Sequence, residues 1–583
     1  MAKKGGYTIS DIYQGGYSSL NPSYGDVFTG YHVGAGSLGL TTDPRTANVL
    51  QEASAKLSTG VKQIELSAIQ PEIFESIPKQ QLKEINRLSK LTGVDISVHG
   101  PVIEASGVTR EGFSESNRES AERQMALAVE RSHEINPKGN IPVTFHSSAI
   151  IPQAIPQKEK KLEEAYAINA ESGSVIRVPL KKKEFPGEKK EINIQEEIKT
   201  INRDQWSENI RGMLYYADRG EEAINQAQLL ARSAEAERKA GREVTAAEKR
   251  AESILEHGRT FLDDSYRQLR GLFEIGYKHS SDQEKKILEE YKKKIGPKVE
   301  QLKKAKDNYE YVETQKEIIE EGIKVLRKVE PQIFKPLDIF AKEKSAQTFA
   351  NVAFNSYKEF QDDSPIISIE NPPAGAAFST GEELKKLVDE ARKKFTEKAV
   401  QEGIDEGEAK RAAEKLIGVT WDVGHINMLR KYGYKAEDII KETEAVKPFV
   451  KHIHLSDNFG GEHTELPMGM GNVPIKEMLE KLGKKGEEAK KIIEAGNWWQ
   501  HFKTPPVKET LEAFGSPIYA MQMAPYWNQT LGFQQAYYGG LSGQWLPQVN
   551  YETFGAGFFQ LPMELGGQRQ GTQGGRMSGR PME

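Results

Sequence analysis

IISIENPP (366–373) and IGVTWDVGHIN (417–427) are the stretches that decide how this chain folds. Each is a short apolar run ending on a carboxylate, Glu370 or Asp422, just where a loop begins. Four more runs share this form: DISVHGP (95–101), IPVTFHSS (141–148), VKHIHLSDNFGGEHTELPMGMG (450–471) and KIIEAG (491–496). They deliver His99, His146, His454 and Glu494. Such runs suit strands buried on both faces, as in a parallel sheet. Amphipathic stretches lie between them, among them TTDPRTANVLQEASAKL (41–57), with Asp43 as N-cap and Pro44 in the first turn, Glu72 to Leu91, and 114–135. GYHVGAG (30–36) and VKQIELS (61–67) supply the first two strands, which brings the count to eight. The alternation predicts an α/β fold of the (β/α)8 barrel class, although a doubly wound sheet has the same rhythm. In a barrel all strand ends reach one face, and ligands scattered along the chain become one cluster.

The rhythm stops between the fourth and fifth strands. The expected organisation is a flexible leader (1–29), a first half-barrel (30–150), a charged helical insertion (151–345), a second half-barrel (346–515) and a Gly/Gln/aromatic-rich, partly disordered tail (516–583). Within the insertion, SGSVIRVPLKKKEF (172–185) reads as a β-ribbon. Leu288, Tyr291, Ile295, Val299, Leu302, Ala305, Tyr309 and Val312 step by threes and fours, a coiled-coil-like seam. Gly296-Pro297 interrupts it as a kink or a hairpin turn. The insertion is either an arm or lid that contacts a partner protein or a solvated helical hairpin.

Composition narrows the chemistry. A net charge near −5 over 583 residues supplies no global attraction to nucleic acid or anionic membrane, so any DNA contact relies on local surface or on metals. With no cysteine, disulfides, thiolate zinc sites and thiol catalysis are excluded. A metal must then sit on His, Asp and Glu, as zinc, manganese or iron can. No apolar run approaches the roughly 20 residues of a spanning helix, and MAKKGGYT has no signal-peptide core; the expected location is cytoplasmic, with no membrane partner. Neither a phosphate-binding loop nor a Rossmann fingerprint stands where it would count.

Taken together the strand-end residues favour a metal site. Glu370 and Glu494 each follow an Ile-rich strand, where an unpaired buried carboxylate is costly and a cation offsets that cost. Asp422 and His425 lie three apart, and Gly424 lets the backbone bend between them. Asp457 is placed as an acceptor orienting an imidazole. His452 is expected on the face of its strand opposite His454. Glu65 either enters the pocket or caps a loop, and His32 is a candidate for the pocket wall. Trp498 and Trp499 either stack on a sugar or base or pack over the mouth.

These residues resemble the xylose-isomerase-like barrels, and within them the endonuclease IV family of abasic-site nucleases, over about 30–150 and 346–500. The family's strand-end histidines match His99 and His146, its IEN glutamate Glu370, and its D-x-x-H pair Asp422 and His425. Its HLND histidine matches His454 in HLSD, and its last-strand glutamate matches Glu494. Its D-x-H before a glycine loop aligns with His463 and Glu465, a departure in residue type at both positions. The resemblance implies up to three divalent metal ions, zinc first among them. One would sit on His99, His146 and Glu370; a second on Glu370, Asp422, His454 and Glu494; a third on His425, His463 and Glu465.

The function so implied is hydrolysis of a phosphodiester, with abasic DNA as partner. The alternative within the superfamily is a sugar isomerase or epimerase. There Glu370, Asp422, His454 and Glu494 hold one Mn, Mg or Co ion, and Glu370 and Glu494 form the catalytic acid/base pair on a small sugar. The loop Pro101-Val102-Ile103 after His99 carries no aromatic wedge, which favours that alternative. A barrel scaffold with a protein-binding helical arm is the third reading.

Overall fold

The computed structural model describes residues 37–513 except 44–47, 58–60, 154, 156–163, 181–183, 186–187, 190–193, 241–244, 306–307, 497, 499–501 and 503–504. Eight parallel strands close into a barrel: Leu38–Thr41, Gln63–Ser67, Asp95–His99, Pro142–His146, Ile366–Glu370, Ile417–Asp422, Val450–Leu455 and Lys490–Ile493. Each pairs with its neighbours in sequence, and the first pairs with the eighth. The first strand is LGLT and not GYHVGAG, which lies outside the described residues together with the leader, His32, Pro44, Trp499 and the tail. The helix read from 41 to 57 is seen from Val49 to Leu57.

These strands face helices outside and one another inside, and their outward positions carry the apolar side chains. Trp421, Phe145, Phe349 and Phe354 are fully buried in the layer between strands and helices. The inward positions carry polar side chains instead. Two residues before five of the six strand-end candidates stand Ser97, Thr144, Ser368, Thr420 and His452, all buried, while Ile492 stands before Glu494. They bond across the lumen: Thr144 to Thr420 at 2.9 Å, Thr420 to Ser368 at 2.7 Å and His452 to Ser97 at 3.1 Å. A polar layer thus floors the ligand layer, with partners found inside the barrel.

The long segment between the fourth and fifth strands has its own apolar cluster. It contains the helices Ile194–Lys239, Thr245–His279, Asp282–Lys303 and Asn308–Leu326, and a three-stranded antiparallel sheet. The ribbon expected over 172–185 is the edge strand Val175–Pro179, paired with Glu164–Asn169. Leu288, Tyr291, Leu302 and Val312 are buried as the periodicity predicts, but Tyr309 is 51% exposed. Gly296-Pro297 makes no hairpin: the helix Asp282–Lys303 runs through it, and the chain turns beyond Lys303. The lost N–H of Pro297 removes one helical bond but does not redirect a segment held by packing on both sides. No helix among the described residues is long and apolar enough to cross a membrane.

The two ends of this segment meet. Glu164–Asn169 pairs with Phe334–Pro336, with Asn169 opposite Phe334. Ala167 sits in the insertion's cluster and Ile168 in the barrel's. Replacing 170–333 by an Asn-Gly turn should therefore give a soluble barrel, because the pair already has hairpin geometry and the apolar surfaces are separate. Thermal melting and metal content of the shortened protein check this; an insoluble product would show that the arm covers barrel surface.

Candidate metal centre

Register gathers the candidate ligands. Glu370 lies opposite His146, and Asp422 opposite His454, at the carboxyl ends of neighbouring strands. Glu370 is fully buried and central. Its Oε2 is 3.3 Å from Nε2 of both His99 and His146, and its Oε1 is 2.9 Å from Nδ1 of His454. Nδ1 of His454 is also 3.1 Å from Oε1 of Glu494. Ligand atoms of Glu370, Asp422, His454 and Glu494 lie within 4.8 Å of one another, as do those of His99, Glu370 and His454. On the far side, Nε2 of His425 and Nε2 of His463 are 2.9 Å apart, and His463 Nδ1 is 3.9 Å from Glu465. The structure brings all nine sequence-derived candidates to this face.

Backbone acceptors orient two of the rings. Nδ1 of His99 is 2.9 Å from the Gly100 carbonyl, and Nδ1 of His425 is 2.7 Å from the Asn371 carbonyl. A carbonyl only accepts, so each Nδ1 carries a proton; Nε2 of His99 faces Glu370 and Nε2 of His425 faces His463, each with a lone pair to offer when its ring is neutral. Asp422 accepts from the His425 N–H at 2.7 Å and from Ser456 Oγ at 3.2 Å. Gly424 is required beside it, because a Cβ there would run into Ser456.

The loop bearing His463 and Glu465 is built by Asp457. That carboxylate accepts from the N–H groups of Asn458, Gly469 and Val473, at 2.9, 2.8 and 3.1 Å. Its backbone exchanges two 2.8 Å bonds with Leu466. Asp457 therefore organises a loop and does not orient an imidazole. Glu465 itself sits at φ 47°, a left-handed position that a non-glycine residue adopts at a cost.

One expectation about the interior is corrected. His452 faces the lumen like His454, because residues two apart in a strand share a face. Glu65 enters the barrel, where Oε2 accepts from Ser97 and faces His452, and Oε1 faces Nε2 of His454 at 3.0 Å. Trp498 packs against the barrel cluster, its ring 4.3 Å from Phe502.

The electrostatics fit a cation. Burial raises Asp422, and the carboxylates of Glu494 and Glu370 push it well above the usual range. Burial opposes the charge of Glu370 too, but His454, His146 and His99 hold it well below. His454 in turn is raised against its burial by Glu494, Glu65 and Glu370. His425 is lowered to about 3, by burial first and then by His463. Oε2 of Glu370 and Oδ2 of Asp422 are buried without a hydrogen-bond partner. Unpaired carboxylate oxygens facing imidazole nitrogens make a donor set that could hold a divalent ion without thiolate.

Residues 361–514 match the family model described as "Xylose isomerase-like TIM barrel", in keeping with the resemblance read from the motifs. The uncharacterized protein MJ1311 of Methanocaldococcus jannaschii is 33% identical over 105 residues, which is 18% of this chain and 34% of that protein. The match thus spans about a third of that relative's length. Among solved structures, a D-tagatose 3-epimerase-like protein aligns with a TM-score of 0.35 and 14% identity, over 82% of this chain and 96% of its own. The D-psicose 3-epimerase of Clostridium cellulolyticum H10, determined with D-tagatose, aligns with a TM-score of 0.37 and 8% identity, over 83% and 98%. At those scores neither structure bears on substrate or mechanism.

Proposed function

We propose that this chain is a metal-dependent phosphodiester hydrolase of the endonuclease IV type, acting on DNA at abasic sites. The observation that carries this reading is the number of donors: His146, His425, His463 and Glu465 stand beside a quartet already sufficient for one ion. His99, His146 and Glu370 would hold one ion; Glu370, Asp422, His454 and Glu494 a second; His425, His463 and Glu465 a third. Zinc suits the nitrogen-rich sets. When bound, such ions supply positive charge at the phosphodiester oxygens and lower the pKa of water. The chain's own part is to keep His99 and His425 in one tautomer and Glu370 ionised between the sets. Phe459, 66% exposed on the loop after the seventh strand, offers an aromatic face to an unstacked base or sugar.

A second reading rests on the quartet itself. Glu370, Asp422, His454 and Glu494 make a complete one-ion set, with Glu370 and Glu494 poised as the acid/base pair of a sugar isomerase or epimerase. One experiment separates the two. Elemental analysis of the purified protein is combined with cleavage of an abasic duplex and a panel of ketoses. The hydrolase is expected to hold more than one ion per chain, and His146→Ala and His425→Ala each to lose metal and nicking. One ion per chain, no nicking and proton exchange on a ketose would establish the isomerase instead.

A further inference from the structure

His454 differs from the other rings of the centre in which nitrogen it presents. His99 and His425 turn Nε2 inward, whereas His454 turns Nδ1 to Glu370 and Glu494. Its Nε2 points down the barrel to Oε1 of Glu65, 3.0 Å away from a strand across the lumen. Glu65 is wholly buried, and its other oxygen lies 3.3 Å from Nε2 of His452 and 3.2 Å from Ser97 Oγ. Ser97 in turn is 3.1 Å from His452. Oε1 of Glu65 and Nε2 of His454 are off the line of a good hydrogen bond and have no other partner.

Resting on the metal-centre reading above, we propose that Glu65 is a positioning residue for His454. Its carboxylate accepts the proton on Nε2 and so leaves the Nδ1 lone pair for the ion among Glu370, Asp422 and Glu494. His452 and Ser97 fix Glu65 from below. A neutral imidazole has one N–H, and a wrong choice of tautomer places a proton where the ion must bind. The backbone carbonyls that make this choice for His99 and His425 have their counterpart here in a side chain. A rival use of the same atoms, an ion held by Glu65, His452 and His454, would need both nitrogens of His454 on metals, with its ring proton lost.

The test is zinc binding by the full chain, with nitrogen-15 correlation spectra of labelled histidine, the His454 ring being assigned by its loss in His454→Asn. In zinc-loaded wild type, Nε2 of His454 should bear the proton. Glu65→Met, similar in size with no acceptor, should weaken zinc binding by about 10–100-fold, the usual cost of removing a partner behind a ligand. Glu65→Gln keeps an acceptor oxygen and should recover part of that loss, which a role in packing alone would not produce. Equal affinities for wild type and both variants would overturn the proposal while leaving the centre intact. So would a drop of one whole ion per chain with Nε2 of His454 unprotonated, because Glu65 would then be a ligand itself. A wild type that takes up no zinc removes the centre and this proposal together.

Discussion

Glu370→Gln should be the most damaging single substitution in the described part of this protein, stripping metal from the centre and abolishing activity on any substrate. Both carboxylate oxygens work: Oε1 faces His454, and Oε2 faces His99 and His146 at once. Glutamine has nearly the same shape but turns a neutral NH2 donor toward nitrogens or an ion and removes the charge that separates two cation sets. The loss of affinity should exceed the roughly 10–100-fold seen when only an outer partner of a ligand is removed. In the metal-free protein the charged rings of His99 and His454 lose their central partner, a change costing about 3–5 kcal/mol when a buried pair is broken. Elemental analysis, zinc titration and melting of the variant check the three parts. A full complement of metal with undiminished activity would remove Glu370 from the centre.

Removal of the metal should destabilise the wild type, and more so as pH rises. Ligands that bind only the folded state stabilise it by mass action, about 4 kcal/mol at a thousand times Kd for each site. The pH dependence follows from His99. Burial disfavours its charged form, but Glu370 overcomes this, helped by Glu65 and Glu494, and the ring is pushed up to about 9 in the bare site. A raised histidine stabilises the metal-free fold fully below its unfolded pKa of about 6.5, a contribution lost as pH climbs through about 9. The ion needs the neutral ring, so it competes with that proton below about 9, and each pH unit costs about tenfold in affinity. The gap in melting temperature between loaded and chelator-stripped protein should therefore widen from pH 6.5 to 8.5. Equal melting of the two forms across that range, after metal removal is verified, would count against a filled centre.

The motifs that brought the centre together were legible because six of the nine candidates end or directly follow an apolar run that a parallel strand requires. The same motifs carry a second feature. In S-V-H, T-F-H, S-I-E, T-W-D and H-I-H, a polar residue stands two before each ligand, and period two puts both on the lumen side. This pattern places His452 under His454 without any structure. What it cannot reveal is Glu65, whose strand does not pair with theirs and meets it only across the barrel.

The sequence by itself determined the periodic facts: eight βα units, the break after the fourth, a helical and charged insertion, and nine nitrogen and oxygen donors with no thiolate among them. These follow from local patterns of burial and residue type. Tertiary structure decided the rest. Closure of the barrel selected LGLT as the first strand, since pairing with both Lys490–Ile493 and Gln63–Ser67 is a long-range matter. Packing overrode the helix-breaking Gly296-Pro297 pair. The choice of nitrogen on each imidazole belongs to this class as well. It depends on the local conformation that turns the Gly100 carbonyl to His99, and on the Asn371 carbonyl and a carboxylate across the lumen, which only the fold brings near His425 and His454.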